Sequence, residues 1–310
     1  MFPKVDTLIA RLEALAARAE AALPAAAVEP DWRRTVAFRW RRRETIFGRR
    51  GELCAVAHPH LIRFEDLADI DEQKARVDQN TRQFVAGLPA NNVLLTGARG
   101  TGKSSLIKAA LERYAAKGLR LIEVDRADLV DLPDIAELVA RRPERFIVFC
   151  DDLSFEAHDA GFKALKSVLD GGIAAPTANM LIYATSNRRH LMPELMQENL
   201  EARHAPDGEI HPGETTEEKV SLSERFGLWL SFYPFDQATY LKIAEHWVGV
   251  LTGRKMVRRE AMIRAALLWS LERGGRSGRT AYQFARDWAG RESGAKAGAA
   301  STGKRKRARA

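Results

Sequence analysis

The chain has 310 residues, of which 45% are hydrophobic and 29% charged, a composition typical of a globular protein rather than a disordered one. Its formal net charge is +8, but residues 31–50 and residues 291–310 carry +6 each, which leaves −4 on the remainder. Two cysteines, Cys54 and Cys150, are too few and too far apart for a disulfide framework or a metal motif. No leader or membrane-spanning run is evident, so we expect a cytoplasmic protein with no membrane partner.

The first segment has the periodicity of an amphipathic helix. Apolar residues recur at i, i+3 and i+4 from Val5 to Leu23, and the pattern stops at Pro24. The apolar face of such a helix needs a covering surface. Two interpretations remain open: the helix packs on the body of the protein, or it docks on another protein.

A basic strand is predicted next, from Arg33 to Arg43. Aromatic residues alternate here with arginines, as in a half-buried strand with one basic face. Such a strand would contact a nucleic-acid backbone through its guanidinium groups, or it would form a solvated edge strand without a ligand. The sequence does not decide between these interpretations.

The segment from Asn91 to Lys108 reads as an apolar strand, a glycine-rich turn and the start of a helix. Its turn matches the G-x-x-x-x-G-K-[ST] phosphate-loop pattern, which predicts an ATP site with Mg²⁺. Glycines let backbone N–H groups turn toward phosphate oxygens, the lysine reaches the β- and γ-phosphates, and the serine holds Mg²⁺. The predicted nucleotide-binding residues of this loop are Gly97, Ala98, Arg99, Gly100, Thr101, Gly102, Lys103, Ser104 and Ser105.

Further strands with helical periodicity between them predict a mainly parallel sheet covered on both faces. These strands run over residues 119–124, 145–150 and 180–185. The second ends in Asp151 and Asp152, and acids at that edge of the sheet bind Mg²⁺ through one carboxylate and orient a water through the other. The third is followed by Asn187, which is placed to contact the attacking water or the γ-phosphate, or simply to cap a turn.

The last third of the chain is predicted to contain a long surface loop, a strand and three helices. The loop covers residues 196–220, and the strand covers residues 228–232. The helices cover residues 237–251, 258–271 and 279–288. From Gly290 onward the composition predicts a flexible basic tail, a second segment available to nucleic acid.

Several segments resemble AAA+ ATPases when taken together. Asp69 to Lys74 and the segments PANNVLLTGARGTGKSSL, FCDDLSFE, IYATSNRRHL and SERFGLWLSF are similar to a bacterial family of single-module AAA+ ATP-binding proteins of unknown function. The similarity covers about Phe64 to Trp288. It implies an α/β fold, a five-stranded parallel αβα sandwich with a C-terminal helical lid, and assembly into a homo-oligomer. On this resemblance the expected divisions are 1–62 (helix and basic strand), 63–234 (nucleotide domain), 235–290 (lid) and 291–310 (disordered basic tail).

The resemblance also implies a role for individual residues. Lys103 and Ser104 belong to Walker A, Asp151 and Asp152 to Walker B, Asn187 is sensor 1, Arg225 the arginine finger and Arg279 sensor 2, while Leu67 and Ile70 line the adenine pocket. Most AAA+ proteins have glutamate where this chain has Asp152. The shorter side chain predicts slow hydrolysis, because the attacking water is less well placed.

The Asp-Asp ending is similar to that of bacterial replication initiators and helicase loaders, which act as ATP-gated switches. The sequence therefore favours a slow Mg²⁺-dependent ATPase that switches conformation on an unknown macromolecular partner. The alternative is a nucleotide-stabilised binding module for nucleic acid or protein that does not hydrolyse ATP significantly.

Overall fold

The structure is a computed structural model. It describes residues 3–22, 30–45, 48–155, 159–170, 178–187, 203–204, 210–211, 224–253 and 259–307. The predicted loop 196–220 lies almost entirely outside the described residues. In the part of the chain that is described, no helix is both long and apolar enough to cross a membrane.

Helices and strands alternate along most of the chain. The helices are α1 (Pro3–Ala22), α2 (Asp71–Val85), α3 (Lys103–Tyr114), α4 (Leu132–Ala140), α5 (Ala160–Asp170), α6 (Gln237–Thr252), α7 (Arg259–Glu272) and α8 (Gly278–Arg307). The strands are β1 (Ala37–Thr45), β2 (Gly48–Ala55), β3 (Val93–Gly97), β4 (Leu119–Glu123), β5 (Arg145–Cys150), β6 (Met180–Ser186), β7 (Arg203–His204), β8 (Ile210–His211) and β9 (Leu228–Phe232). The predicted strands after the phosphate loop are thus confirmed to within one residue.

Within the described residues, one sheet has seven strands in the order β2-β1-β4-β5-β6-β3-β9. The five strands from β4 to β9 in this order are all parallel to their neighbours, as the fold prediction requires. The fold prediction did not place the other two strands in this sheet, although the first of them was predicted as a separate basic strand. Strand β1 adds to β4 in parallel and β2 pairs with β1 in an antiparallel hairpin, so residues 37–55 extend the sheet of the nucleotide domain.

The alternation of side chains in β1 confirms the predicted half-buried strand over residues 37–43, while residues 33–36 precede the strand. Phe38 and Trp40 are buried in the core on one face. On the other face, the guanidinium of Arg39 bonds Glu123 of β4 at 2.6 Å and 2.9 Å. The strand is not at the edge of the sheet, however, because β2 covers it. Backbone pairing on both sides therefore fixes β1 more firmly than the sequence suggested.

The sheet separates two apolar clusters, and the lid has a third. One cluster contains Phe146, Val148 and Ile182, and the other contains Leu106, Ile107 and Tyr183. The lid cluster joins α6, α7 and α8 around residues such as Tyr240 and Phe284. Because the hydroxyl of Tyr240 also donates to the Ala266 carbonyl at 2.9 Å, α6 and α7 are held by a polar contact as well as by packing.

Helix α8 continues to Arg307, through the segment for which the composition predicts a disordered tail. Alanine, lysine and arginine are strong helix formers, and several of them follow Gly290. The helix propensity of these residues explains why the segment is helical. Its polarity only argues that the helix does not pack on an apolar core.

Candidate functional site

Two positions of the phosphate loop require glycine, one through close packing and a positive φ and the other through a positive φ alone. Gly97 ends β3 with φ +121°, and a Cβ there would lie 2.0 Å from the carbonyl oxygen of Phe232 in β9. Gly102 has φ +100° and precedes the first residue of α3. The loop is thus pressed against β9 and leads directly into a helix whose first N–H groups point toward it.

Lys103 occupies the centre of the site. The residue is 6% exposed, and its ammonium donates to the carbonyls of Gly97 and Ala98 at 2.8 Å and 2.7 Å and to Oδ1 of Asn187 at 3.1 Å. Burial lowers the pKa of Lys103, while the carboxylates of Asp151 and Asp152 partly oppose that shift. The lysine is therefore a desolvated cation held within the loop, an arrangement suited to bind a phosphate anion.

Oxygen ligands of the kind that Mg²⁺ prefers lie beside this lysine. The Ser104 hydroxyl donates to Oδ1 of Asp151 at 2.6 Å. The Thr185 hydroxyl, at the end of β6, donates to the same oxygen at 2.6 Å. A serine hydroxyl and a carboxylate in contact fit the hydroxyl-and-acid pair that holds Mg²⁺ beside a phosphate loop. The predicted metal residues, Ser104 and Asp151, are thus brought together.

Asp152 and Asn187 also meet. The amide of Asn187 donates to Oδ1 of Asp152 at 2.5 Å, while its oxygen accepts from Lys103. Asp152 has φ +53°, a left-handed conformation that is uncommon outside glycine, and its N–H donates to the Thr185 hydroxyl at 3.0 Å. The chain after β5 therefore turns sharply and carries the second carboxylate back over the sheet edge toward the loop.

Thr185 was missed by the sequence prediction, although it is 2% exposed and bonds both aspartates. We expect Thr185→Val to weaken the Mg²⁺ dependence of nucleotide binding, because it removes the hydrogen bonds of this hydroxyl to Asp151 and to the Asp152 N–H, each of which contributes about 0.5–1.5 kcal/mol to stability. Thermal unfolding and Mg²⁺ titration of nucleotide binding measure both effects. The matched control is Thr96→Val, a buried threonine on β3 whose hydroxyl accepts from Trp229 at 2.8 Å. If both variants lose Mg²⁺ dependence equally, the role given to Thr185 is wrong.

The loop opens into a cavity of about 920 Å³ between the sheet and the lid. Leu67 and Ile70, the predicted adenine-pocket residues, are buried along it, and their methyl groups face Gly102. The lid adds Trp247 from α6 and Tyr282 from α8, whose rings lie 4.8 Å apart in an edge-to-face arrangement. The cavity thus has a charged end at the loop and an apolar, aromatic end, which is the polarity of a nucleotide.

The lid also touches the phosphate loop directly. The N–H of Gly278, the first residue of α8, donates to the Gly100 carbonyl at 2.8 Å. A Cβ on Gly100 would lie 2.8 Å from Ser277, and a Cβ on Gly278 would lie 3.1 Å from the Gly100 carbonyl oxygen. This close approach places Arg279 in the wall of the cavity, where the sequence expectation puts sensor 2.

Arg225 lies apart from this group. Its Nε donates to Oδ1 of Asp170 at the end of α5, and its side chain is 24% exposed. Arg225 is not one of the described residues that line the cavity of its own chain. Its predicted role as an arginine finger therefore requires the cavity of a neighbouring subunit.

Several arginines of the basic strand are engaged within the chain. Arg42 donates to both oxygens of Asp131 at 2.7 Å and 2.5 Å and holds the pKa of that carboxyl below its usual range, and Arg43 pairs with Glu52 at 2.5 Å. Arg33 and Arg41 are exposed. These ion pairs neutralise part of the charge on which a nucleic-acid contact through residues 33–43 would depend.

The order of the five parallel strands, the phosphate loop after β3, the acidic pair after β5 and the helical lid define the AAA+ class of P-loop NTPase fold. The chain belongs to the family described as "Protein of unknown function (DUF815)", whose profile matches residues 33–292.

Solved structures with a similar fold include RuvB of Thermotoga maritima, described as a Holliday junction branch migration motor, at 14% identity and a TM-score of 0.44. The alignment covers 72% of this chain and 63% of that one. A variant of the same RuvB aligns at 15% identity with a TM-score of 0.47, over 73% of this chain and 65% of that one. This chain thus spans less than two thirds of their length. No curated protein sequence matches it.

Proposed function

We propose that the protein is an ATP-binding, Mg²⁺-dependent AAA+ ATPase that hydrolyses ATP slowly and uses the bound nucleotide to switch conformation. The single observation that supports this best is one connected network at the sheet edge. Lys103 bonds Asn187, Asn187 bonds Asp152, and Thr185 links both aspartates. That network contains a cation for the phosphates, one carboxylate for the metal, a second for the attacking water and an amide that can contact the γ-phosphate.

In this proposal the loop N–H groups and Lys103 bind the β- and γ-phosphates, and Ser104 and Asp151 hold the metal. Mg²⁺, when bound, neutralises charge on the phosphate oxygens. Asp152 orients the attacking water, and Asn187 holds the Asp152 carboxylate in position while contacting the γ-phosphate. Arg279 adds a cation from the lid, so the position of the lid responds to which nucleotide is bound.

The side chain of Asp152 supports slow turnover. It is one methylene shorter than the usual glutamate, and its carboxylate already accepts a 2.5 Å hydrogen bond from Asn187. The shorter side chain would therefore place an attacking water less well against a bound γ-phosphate, and small displacements at a reacting centre lower rates strongly. Slow hydrolysis keeps the ATP-bound state long-lived, which suits a switch of the initiator or helicase-loader type.

The second candidate function is a nucleotide-stabilised binding module without significant hydrolysis, acting on nucleic acid or on a protein. The same Asp152–Asn187 contact favours it, because a carboxylate committed to an amide is a poorer partner for water. Asn187 and Arg279 at the cavity favour the ATPase, since a module that never hydrolyses ATP needs no sensors of the γ-phosphate.

Steady-state ATP hydrolysis, measured with and without DNA, separates the two candidates. We expect a low but Mg²⁺-dependent rate that exceeds that of a Lys103→Ala control. Asp152→Glu should raise the rate, because the longer side chain moves the carboxylate toward the attacking water. If the wild-type rate equals that of the Lys103→Ala control in all conditions, hydrolysis is not the function.

The macromolecular partner, the homo-oligomer and a cytoplasmic location are parts of the same proposal. Asp152→Asn should trap the ATP-bound form, since it removes the group that orients water while it preserves the size of the side chain. Affinity capture with that variant, in ATP and in ADP, would identify a partner whose binding depends on the nucleotide.

A further inference from the structure

Helix α1 presents a row of large apolar side chains to solvent. The exposed fractions of Leu8, Ile9, Leu12 and Leu15 are 59%, 48%, 58% and 61%. In the described part of the chain, this face of α1 is therefore not packed on the body of the protein, which was one of the two interpretations that the sequence left open. A contiguous exposed row of this kind marks an interaction surface.

The sequence of α1 repeats every seven residues. Within α1 the segments KVDTLIA, RLEALAA and RAEAA follow one another without interruption. In heptad notation, positions a, d and e are apolar throughout. Position g is always basic (Lys4, Arg11, Arg18) and position b is always acidic (Asp6, Glu13, Glu20).

The helical geometry converts this repeat into a pattern of charge around the helix. With about 100° of rotation per residue, positions a, d and e form one stripe, and positions g and b lie on its two opposite sides. The apolar stripe of α1 therefore has a wholly basic border and a wholly acidic border. A helix that merely packs on its own domain has no need of such a sorted pair of borders.

We propose that α1 is a self-association element, which packs against α1 of other copies of this chain in a parallel helical bundle. When identical parallel helices are related by rotation about an axis along the bundle, the basic border of each lies beside the acidic border of the next. An antiparallel arrangement brings each border beside its own kind, which is repulsive. Apolar residues at e as well as at a and d make the stripe wide enough for a bundle of three or more helices.

The charge balance of α1 argues against the other surfaces that an amphipathic helix can cover. It carries three basic and three acidic residues, so its net charge is zero. Helices that lie on anionic membranes, or that bind nucleic acid, have an excess of positive charge. The association proposed here needs no nucleotide, and it therefore goes beyond the ATPase proposal and does not rest on it.

Two charge variants of the full-length chain test the proposal. The acidic-border variant carries Lys4→Glu, Arg11→Glu and Arg18→Glu, and the basic-border variant carries Asp6→Lys, Glu13→Lys and Glu20→Lys. Each should associate about tenfold or more weakly than wild type, because all border contacts become repulsive. An equimolar mixture should associate more strongly than either variant alone, since acidic borders can then meet basic ones. Light scattering and sedimentation velocity in the absence of nucleotide measure both effects.

A variant with Ala10→Gln and Ala14→Gln, on the side of α1 opposite the stripe, is the matched control and should associate like wild type. ATP binding should be the same in all variants, which shows that the body is folded and keeps this test separate from the proposed ATPase. The proposal is overturned if wild type is monomeric, if both charge variants associate normally, or if their mixture associates no more strongly than either variant alone. Binding of wild-type protein to vesicles containing phosphatidylserine, with no self-association, would assign the face to a membrane instead.

Discussion

Lys103→Ala should abolish measurable binding of ATP. The ammonium is the buried cation of the loop, with three hydrogen-bond acceptors within 3.1 Å, and in the proposed complex it exchanges these for phosphate oxygens. Each charge-assisted hydrogen bond contributes about 1.5–3 kcal/mol, so the loss of two to phosphates weakens binding by a factor on the order of 100 or more. Fluorescence titration with an ATP analogue measures this directly.

The control for this change is Lys117→Ala, which removes an exposed lysine of the turn after α3. It should bind ATP like wild type. Lys103→Arg is informative as well, because it keeps the charge but is too bulky for the acceptors that surround the ammonium. If Lys103→Ala binds the ATP analogue within about tenfold of the wild-type affinity, the phosphate loop is not the nucleotide site.

The parts of the site that the sequence predicts are local. The phosphate loop, the strand before it and the helix after it lie within about twenty residues, and glycine and lysine define them through backbone geometry alone. The strands that Asp151 and Asn187 follow are also apolar runs with clear ends, so their carboxyl ends could be placed at one edge of a parallel sheet.

The parts that escaped prediction depend on contacts between distant residues. Pairing of β1 with β4 joins residues about 84 positions apart, and no local pattern specifies it. Thr185 was known to end a strand, but only the structure shows that its hydroxyl lies between the two aspartates. Trp247 and Tyr282 look like ordinary core aromatics in the sequence, since their place in the cavity wall depends on how the lid packs on the sheet.

Arg225→Ala should bind ATP normally and hydrolyse it poorly. Arg225 precedes β9, and the cavity of its own chain is lined by other described residues. We propose that it reaches the γ-phosphate held by Lys103 of a neighbouring subunit. An arginine that stabilises the charge of the transferred phosphoryl group increases rates by about 10³ to 10⁵ in phosphate-loop enzymes, although a slow switch gains less.

The structure supplies a competing explanation, because Arg225 forms an ion pair with Asp170. If the arginine acts only by tying the start of β9 to α5, Asp170→Asn should lower ATP hydrolysis as much as Arg225→Ala does. If the arginine acts on a neighbour, Asp170→Asn should retain most of the activity, because it leaves the guanidinium intact. Thermal unfolding of both variants shows how much stability the ion pair contributes, which we expect to be small for a partly exposed pair.

Mixing subunits decides the matter. Arg225→Ala subunits have an intact phosphate loop but lack the arginine. Lys103→Ala subunits have the arginine but lack a functional loop, so we expect each variant to be inactive alone. In mixed oligomers some interfaces combine an intact loop with an intact arginine, and partial activity should return in proportion to the fraction of such interfaces. A mixture that stays inactive, although both variants are folded and co-assemble, excludes action across the interface. The same mixture can be repeated with the acidic-border changes of α1 in both kinds of subunit. If activity then fails to return, the assembly depends on that helix.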